Sequence, residues 1–186
     1  MEIYLIRHTK PDVEEGICYG QTDIGLAETF PQEWTVLKNK IPDTFERVYT
    51  SPLERCYQLA RLFRTDKLIS DPRLLEMNFG HWEMRRWDDI SPIELKEWME
   101  DYVMKQAPEG ESYQQLFNRV GDFLEELVSL SLNKVVIVTH AGVIRAFVCK
   151  ILGVSLTKAF DLEFDFGKVS LVHGSQQGLK IKYLNV

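Results

Sequence analysis

Two histidines of this 186-residue chain stand where an apolar run gives way to polar residues. His8 follows Tyr4-Leu5-Ile6-Arg7, and His140 follows Val135-Val136-Ile137-Val138-Thr139. An imidazole with one unprotonated ring nitrogen is a competent nucleophile near neutral pH. Arg7 adjoins His8, and Arg55 falls in the first turns of a helix expected directly after the stretch Arg47-Val48-Tyr49-Thr50. Guanidinium groups present forked N–H donors that match phosphate oxygens. Two histidines and two arginines gathered at one edge would therefore form a cationic pocket suited to a phosphate monoester. A helix expected to open at Ala141 adds free backbone N–H groups and a positive dipole end at the same place.

Such a gathering needs a sheet whose strand ends lie side by side. Ile3–Ile6 and Val135–Val138 are short apolar runs without alternation, the pattern of parallel strands buried on both faces. Residues 12–28, with Gly16, Gly20 and Gly25, read as loop, and Gln32–Lys40 as a short helix. Ser51-Pro52-Leu53-Glu54 and Ser91-Pro92-Ile93-Glu94 each join a Ser N-cap, a Pro at the first helical position and a Glu three residues on. They predict helices to about Arg64 and about Lys105. Leu116, Val120, Phe123, Leu124 and Leu127 recur at helical spacing, and Val143–Leu152 continues as helix after His140. Val169–Val172 and Leu179–Leu184 predict a closing hairpin around Gly174-Ser175-Gln176-Gln177-Gly178. In open α/β sheets ligands bind beyond the carboxyl ends of the strands, where His8 and His140 fall. The expectation is an α/β fold: one three-layer α/β/α domain over residues 1–186 with a mostly parallel central sheet.

Composition narrows the function. The net charge is −6, with acidic and basic residues interspersed, so no basic stripe for nucleic acid is expected. No apolar run is long enough for a bilayer span and the first residues lack a secretory pattern, which reads as a cytoplasmic protein with no membrane partner. Cys18, Cys56 and Cys149 are odd in number and far apart, signalling neither disulfides nor a zinc site. A cysteine-nucleophile phosphatase needs an Arg six positions after the thiol. Ile24, Leu62 and Ser155 stand there, which excludes that chemistry. The expected partner is a small-molecule phosphate monoester, with no metal and no cofactor.

Four ordered blocks then point to a family. Arg7-His8-Thr9, Thr50–Cys56, Leu75–Glu83 and Val138–Arg145 resemble the histidine phosphatase superfamily, which includes the phosphoglycerate mutases. The resemblance implies a phosphoglycerate mutase-like fold. It also implies that His8 takes the phosphoryl group, that Arg7, Arg55 and His140 hold its oxygens, and that Glu76 is the acid. A phosphohistidine would split a difficult displacement into two easier ones, with arginines and the second imidazole stabilising charge on the transferring group.

The chain departs from the family pattern at several positions. Thr9 replaces a common Gly, and a β-like backbone is expected there. Glu14 stands where many members place an Asn near the phosphate, and Gln21 is the expected substitute donor. Met84 occupies a position that is often Gly. Only roughly sixty residues separate Glu76 from Lys134, limited room for the lid that mutases carry, so hydrolysis is favoured, with a broad-specificity sugar-phosphate phosphatase or a phosphoglycerate mutase on the same residues as the alternative. Within the phosphatases, Ile6–Pro11 with Gly16–Asp23, and Phe79–Glu83 with Trp87-Asp88, resemble the α-ribazole phosphatases of cobalamin nucleotide-loop synthesis. Tyr19, Phe79, Trp82 and Trp87 offer flat apolar surface of the kind that would stack on a benzimidazole.

Overall fold

A computed structural model of the chain describes residues 1–175 and 178–186. Its centre is a six-stranded sheet in the order β5-β3-β6-β1-β7-β8, formed by β1 (Glu2–Arg7), β3 (Arg47–Thr50), β5 (Leu68–Ser70), β6 (Lys134–Thr139), β7 (Val169–Ser175) and β8 (Gly178–Tyr183). β5, β3, β6 and β1 run parallel, and β7 and β8 complete the edge antiparallel. β2 (Thr44–Phe45) and β4 (Arg64–Thr65) pair separately. The helices are α1 (Phe30–Leu37), α2 (Glu54–Ala60), α3 (Pro92–Glu100), α4 (Tyr113–Ser129) and α5 (Ala141–Leu152). Among the described residues, no helix is long and apolar enough to cross a membrane.

The buried runs alternate between two cores. Ile3 and Leu5 of β1, with Val135 and Ile137 of β6, join the cluster under α4 and α5. Tyr4 and Ile6, with Val136 and Val138, join the cluster that holds Leu37, Cys56 and Leu59 of α1 and α2. Period-two geometry sends neighbours to opposite faces, and both faces are covered, so every position must be apolar. Each such side chain contributes about 1.5–3 kcal/mol on burial. This is the expected three-layer α/β/α arrangement.

Two helix boundaries differ from expectation. α2 begins at Glu54 after Leu53 in extended conformation and ends at Ala60, not at Arg64. The Ser51 hydroxyl accepts from the Leu53 N–H at 3.4 Å, ahead of the helix, and also lies 2.8 Å from Nε2 of His140. α3 has the expected Ser91 cap but stops at Glu100, five residues early. α4 starts with a full capping box between Ser112 and Gln115. β7 and β8 pair as the expected hairpin, while Gln176 and Gln177, expected in its turn, lie outside the described residues.

Candidate active site

Parallel register brings the strand ends into line. Arg7 of β1 lies opposite Thr139 of β6, and Thr50 of β3 opposite Val138. The next residues, His8, Ser51 and His140, therefore emerge together. The His8 N–H donates to the Thr139 carbonyl at 3.0 Å and that of Ser51 to Val138 at 3.0 Å. The two imidazoles sit edge to face with ring centroids 5.1 Å apart. Both are buried, as is Arg55.

The hydrogen bonds of His8 choose its tautomer. Nδ1 lies 2.7 Å from the Thr9 carbonyl, which can only accept, so Nδ1 carries the proton and Nε2 keeps its lone pair. Burial, reinforced by Arg55 and Arg7, pushes the His8 pKa well below the usual histidine range. Burial, then Arg55, His8 and Arg7, does the same to His140. Both rings are neutral at pH 7. Thr9 is not among the residues with positive φ, consistent with the extended backbone expected there.

The arginines are held by carbonyls, not by acids. Arg55 donates from Nη1 to Thr22 at 2.8 Å and from Nη2 to Gly20 at 2.6 Å, with Tyr19 at 5.1 Å from its guanidinium carbon. Arg7 donates to the Phe164 carbonyl at 2.6 Å and lies over the Phe166 ring at 3.7 Å. The Nε atoms of both, and the Thr9 hydroxyl, are buried without a partner among the described residues. Cations desolvated in this way are costly unless an anion joins them, which gives the edge a strong preference for a dianionic group.

Glu76 lies against the start of α5. Its Oε2 accepts from the Gly142 N–H at 3.2 Å and its Oε1 from Met77 at 2.9 Å. A Cβ at position 142 would run into that carboxylate, so glycine there leaves room for the Glu76 side chain as it lies. Ala141 opens α5 with its N–H among the donors that a helix start leaves free. Gln21 donates from Nε2 to the Glu76 carbonyl at 2.8 Å, so the expected phosphate donor is engaged with the backbone of the expected acid. Glu14 is 83% exposed and pairs with Arg86. Met84 takes up the left-handed conformation, φ 64°, that a glycine would adopt without strain, and its N–H meets the Cys18 carbonyl at 2.6 Å.

A cavity of about 290 Å³ opens beside these groups, lined by Arg7, Glu76, Ala141 and Arg145 together with Tyr19, Phe79, Trp87 and Phe160. Three of the four expected aromatic residues thus reach it. Trp82 does not, being 2% exposed and packed against Trp98 in the core.

Several contributors were invisible to the spacing arguments. Ser51 was hidden by its cap signal, and Phe164 and Phe166 arrive from a segment remote in sequence. Glu83 accepts from the N–H groups of Gln21, Thr22 and Phe79 and from the Thr22 hydroxyl, fixing the loop whose carbonyls hold Arg55. Arg145 donates Nε to the Leu162 carbonyl at 2.8 Å and turns the rest of its guanidinium to the cavity. Its place within the fourth block was the only signal for it.

The chain is similar to known proteins over its full length. The chain is 28% identical to phosphoserine phosphatase 1 of Hydrogenobacter thermophilus, covering 100% of this chain and 92% of that one. It is 26% identical to the adenosylcobalamin/α-ribazole phosphatase of Escherichia coli K12, covering 100% and 96%. The crystal structure of the α-ribazole phosphatase from Shigella flexneri superimposes with a TM-score of 0.91 at 27% identity, covering 100% and 96%. Residues 3–186 match the sequence model of the histidine phosphatase superfamily (branch 1), and the chain belongs to that family.

Proposed function

We propose that the protein is a metal-independent phosphomonoesterase working through a phosphohistidine, with α-ribazole 5′-phosphate as its substrate. The observation that carries the mechanism is the buried, neutral His8 with Nδ1 tied to a carbonyl and Nε2 free, beside two arginines that lack acidic partners. In the first step Nε2 attacks phosphorus, the P–O ester bond breaks, and Glu76 in its protonated form gives its proton to the departing alkoxide. In the second, the Glu76 carboxylate takes a proton from water as that water attacks phosphorus. The N–P bond breaks, releasing phosphate and restoring His8. Arg7, Arg55, His140 and the Ala141 N–H supply the donors for the phosphoryl oxygens in both steps.

For the substrate, Tyr19, Phe79, Trp87 and Phe160 form aromatic walls fit for a flat bicyclic base, and two of the relatives described above act, by their names, on α-ribazole compounds. A second reading has one observation in its favour. Arg145 lines the cavity as a half-buried cation that, among the described residues, spends only its Nε donor on a hydrogen bond, a match for the carboxylate of a small phosphorylated acid such as phosphoserine.

The test is kcat/KM in chelator for α-ribazole 5′-phosphate, phosphoserine, 3-phosphoglycerate and an aryl phosphate, with His8→Ala as the blank. Preference for the first by tenfold or more supports the α-ribazole reading. Preference for phosphoserine transfers the assignment to the second. Loss of all turnover in chelator, restored by metal, would sink the mechanism.

A further inference from the structure

The carboxylate placed to act as acid stands on irregular backbone. Glu76 falls between two 3-10 turns, Pro72–Leu74 and Gly80–Trp82, where no helix or strand bond holds the chain. A side chain on such a segment is aimed only as well as its backbone is fixed.

Arg119, in the second turn of α4, is bonded to that backbone. Its Nη1 donates to the carbonyls of Arg73 at 2.8 Å and Leu75 at 2.7 Å, and its Nη2 to that of Glu76 at 3.0 Å. The two remaining N–H groups go to Glu111, at 3.2 and 2.6 Å, so all five donors are engaged. Oε1 of Glu111 also accepts from the Asn78 N–H at 2.9 Å. The ion pair therefore grips the chain on both sides of Glu76, and Gln21 adds a second donor to the Glu76 carbonyl. The pair is sheltered, with side chains 19% and 15% exposed. An ion pair that served only to join α4 to its neighbours would not need three carbonyls within four residues of one carboxylate.

We propose that Arg119, locked by Glu111, is a positioning residue for the acid: it touches no substrate and sets the aim of the Glu76 carboxyl at the leaving oxygen. This rests on the reading of Glu76 as the acid. A misaimed acid hurts esters whose alkoxide needs a proton and spares those with acidic phenols, whereas general loosening of the fold hurts all alike.

The experiment is a leaving-group series, from alkyl to activated aryl phosphates, on Arg119→Gln, Arg119→Lys, Glu111→Gln and Glu76→Gln. Arg119→Gln is expected to lower kcat at least tenfold on alkyl esters and less than threefold on activated aryl esters, with KM within twofold. Arg119→Lys, which keeps charge but not the fork, should recover part of the loss. Combined with Glu76→Gln, Arg119→Gln should add no further leaving-group dependence. Equal losses across the series in the folded Arg119 variants, or additive losses in the double variant, would overturn the clamp. Should Arg119→Gln fail to fold, the decision passes to Arg119→Lys and Glu111→Gln, and a flat series in both overturns it. A flat series for Glu76→Gln would instead remove the acid assignment, a separate result.

Discussion

The two parts of the proposed site, the buried histidines with Arg55 that would take the phosphate and the cavity beside them that would take the leaving group, are built differently. At the phosphate end, His8, His140 and Arg55 are fully buried and stand at the ends of β1 and β6 and within α2, so regular hydrogen-bonded elements set their places. At the leaving-group end, Tyr19, Glu76, Phe79 and Trp87 come from loops and short turns held by side-chain clamps, Glu83 on one segment and Arg119 with Glu111 on another. A phosphoryl group is the same in every substrate, and its charge needs donors that do not move during reaction. A leaving group differs among relatives, and irregular segments change shape and residue without disturbing the sheet. On this reading, the task common to every substrate sits on the scaffold and the variable one on segments that need their own fasteners.

Substitutions can break this contrast, and the largest effect belongs to the phosphate end. His8→Ala should abolish turnover, by on the order of 10 000-fold or more, and with it any phosphoenzyme trapped by acid quench. Label retained in that variant would remove the nucleophile. Arg55→Lys comes next. A single ammonium cannot bridge the Gly20 and Thr22 carbonyls and still fork toward an anion, so kcat/KM should fall about 100-fold on every ester alike. A loss confined to one ester would erase the distinction between the two ends. At the other end, Trp87→Ala should lower kcat/KM for α-ribazole 5′-phosphate about tenfold through stacking while leaving an aryl phosphate within threefold. Uniform loss would make Trp87 structural only.

Two smaller effects sharpen the picture through stability. The buried histidines resist protonation when folded but accept protons near pH 6.5 when unfolded. Their contribution is therefore present above about pH 6.5 and lost as pH falls below it, by about 1.4 kcal/mol per pH unit for each histidine. Urea unfolding between pH 7 and 5 should show that slope, and His140→Gln should halve it. An unchanged slope would mean the rings are not the groups responsible. Away from the phosphate end, Met84→Gly should raise stability by about 0.5–1 kcal/mol by releasing a left-handed methionine. A drop in melting temperature would show that its side chain contributes more than the strain.

Much of the phosphate end was readable one segment at a time. Unbroken apolar runs are forced wherever a strand is covered on both faces, so Ile3–Ile6 and Val135–Val138 announced the central pair. The polar residues that follow had to stand at its edge. The leaving-group end was less readable. Trp82 and Trp87 look alike on paper, yet one is core and the other lines the cavity, because turn geometry and not residue type sets which way each ring faces. Ser51 carried a helix-cap signature, and its hydroxyl serves both the Leu53 N–H and the nearby imidazole of His140.

Local chemistry in the chain thus dictates strand and helix type, the two-sided core and the edge at which His8, Arg7, Arg55 and His140 must gather, since these follow from short-range periodicity and connection rules. The tautomer of His8, the carbonyl cradle of Arg55, the engagement of Gln21 with Glu76 and the grip of Arg119 belong to the folded molecule alone. Each depends on hydrogen bonds between segments distant in sequence. No pattern within a single segment encodes the partner that packing brings to it.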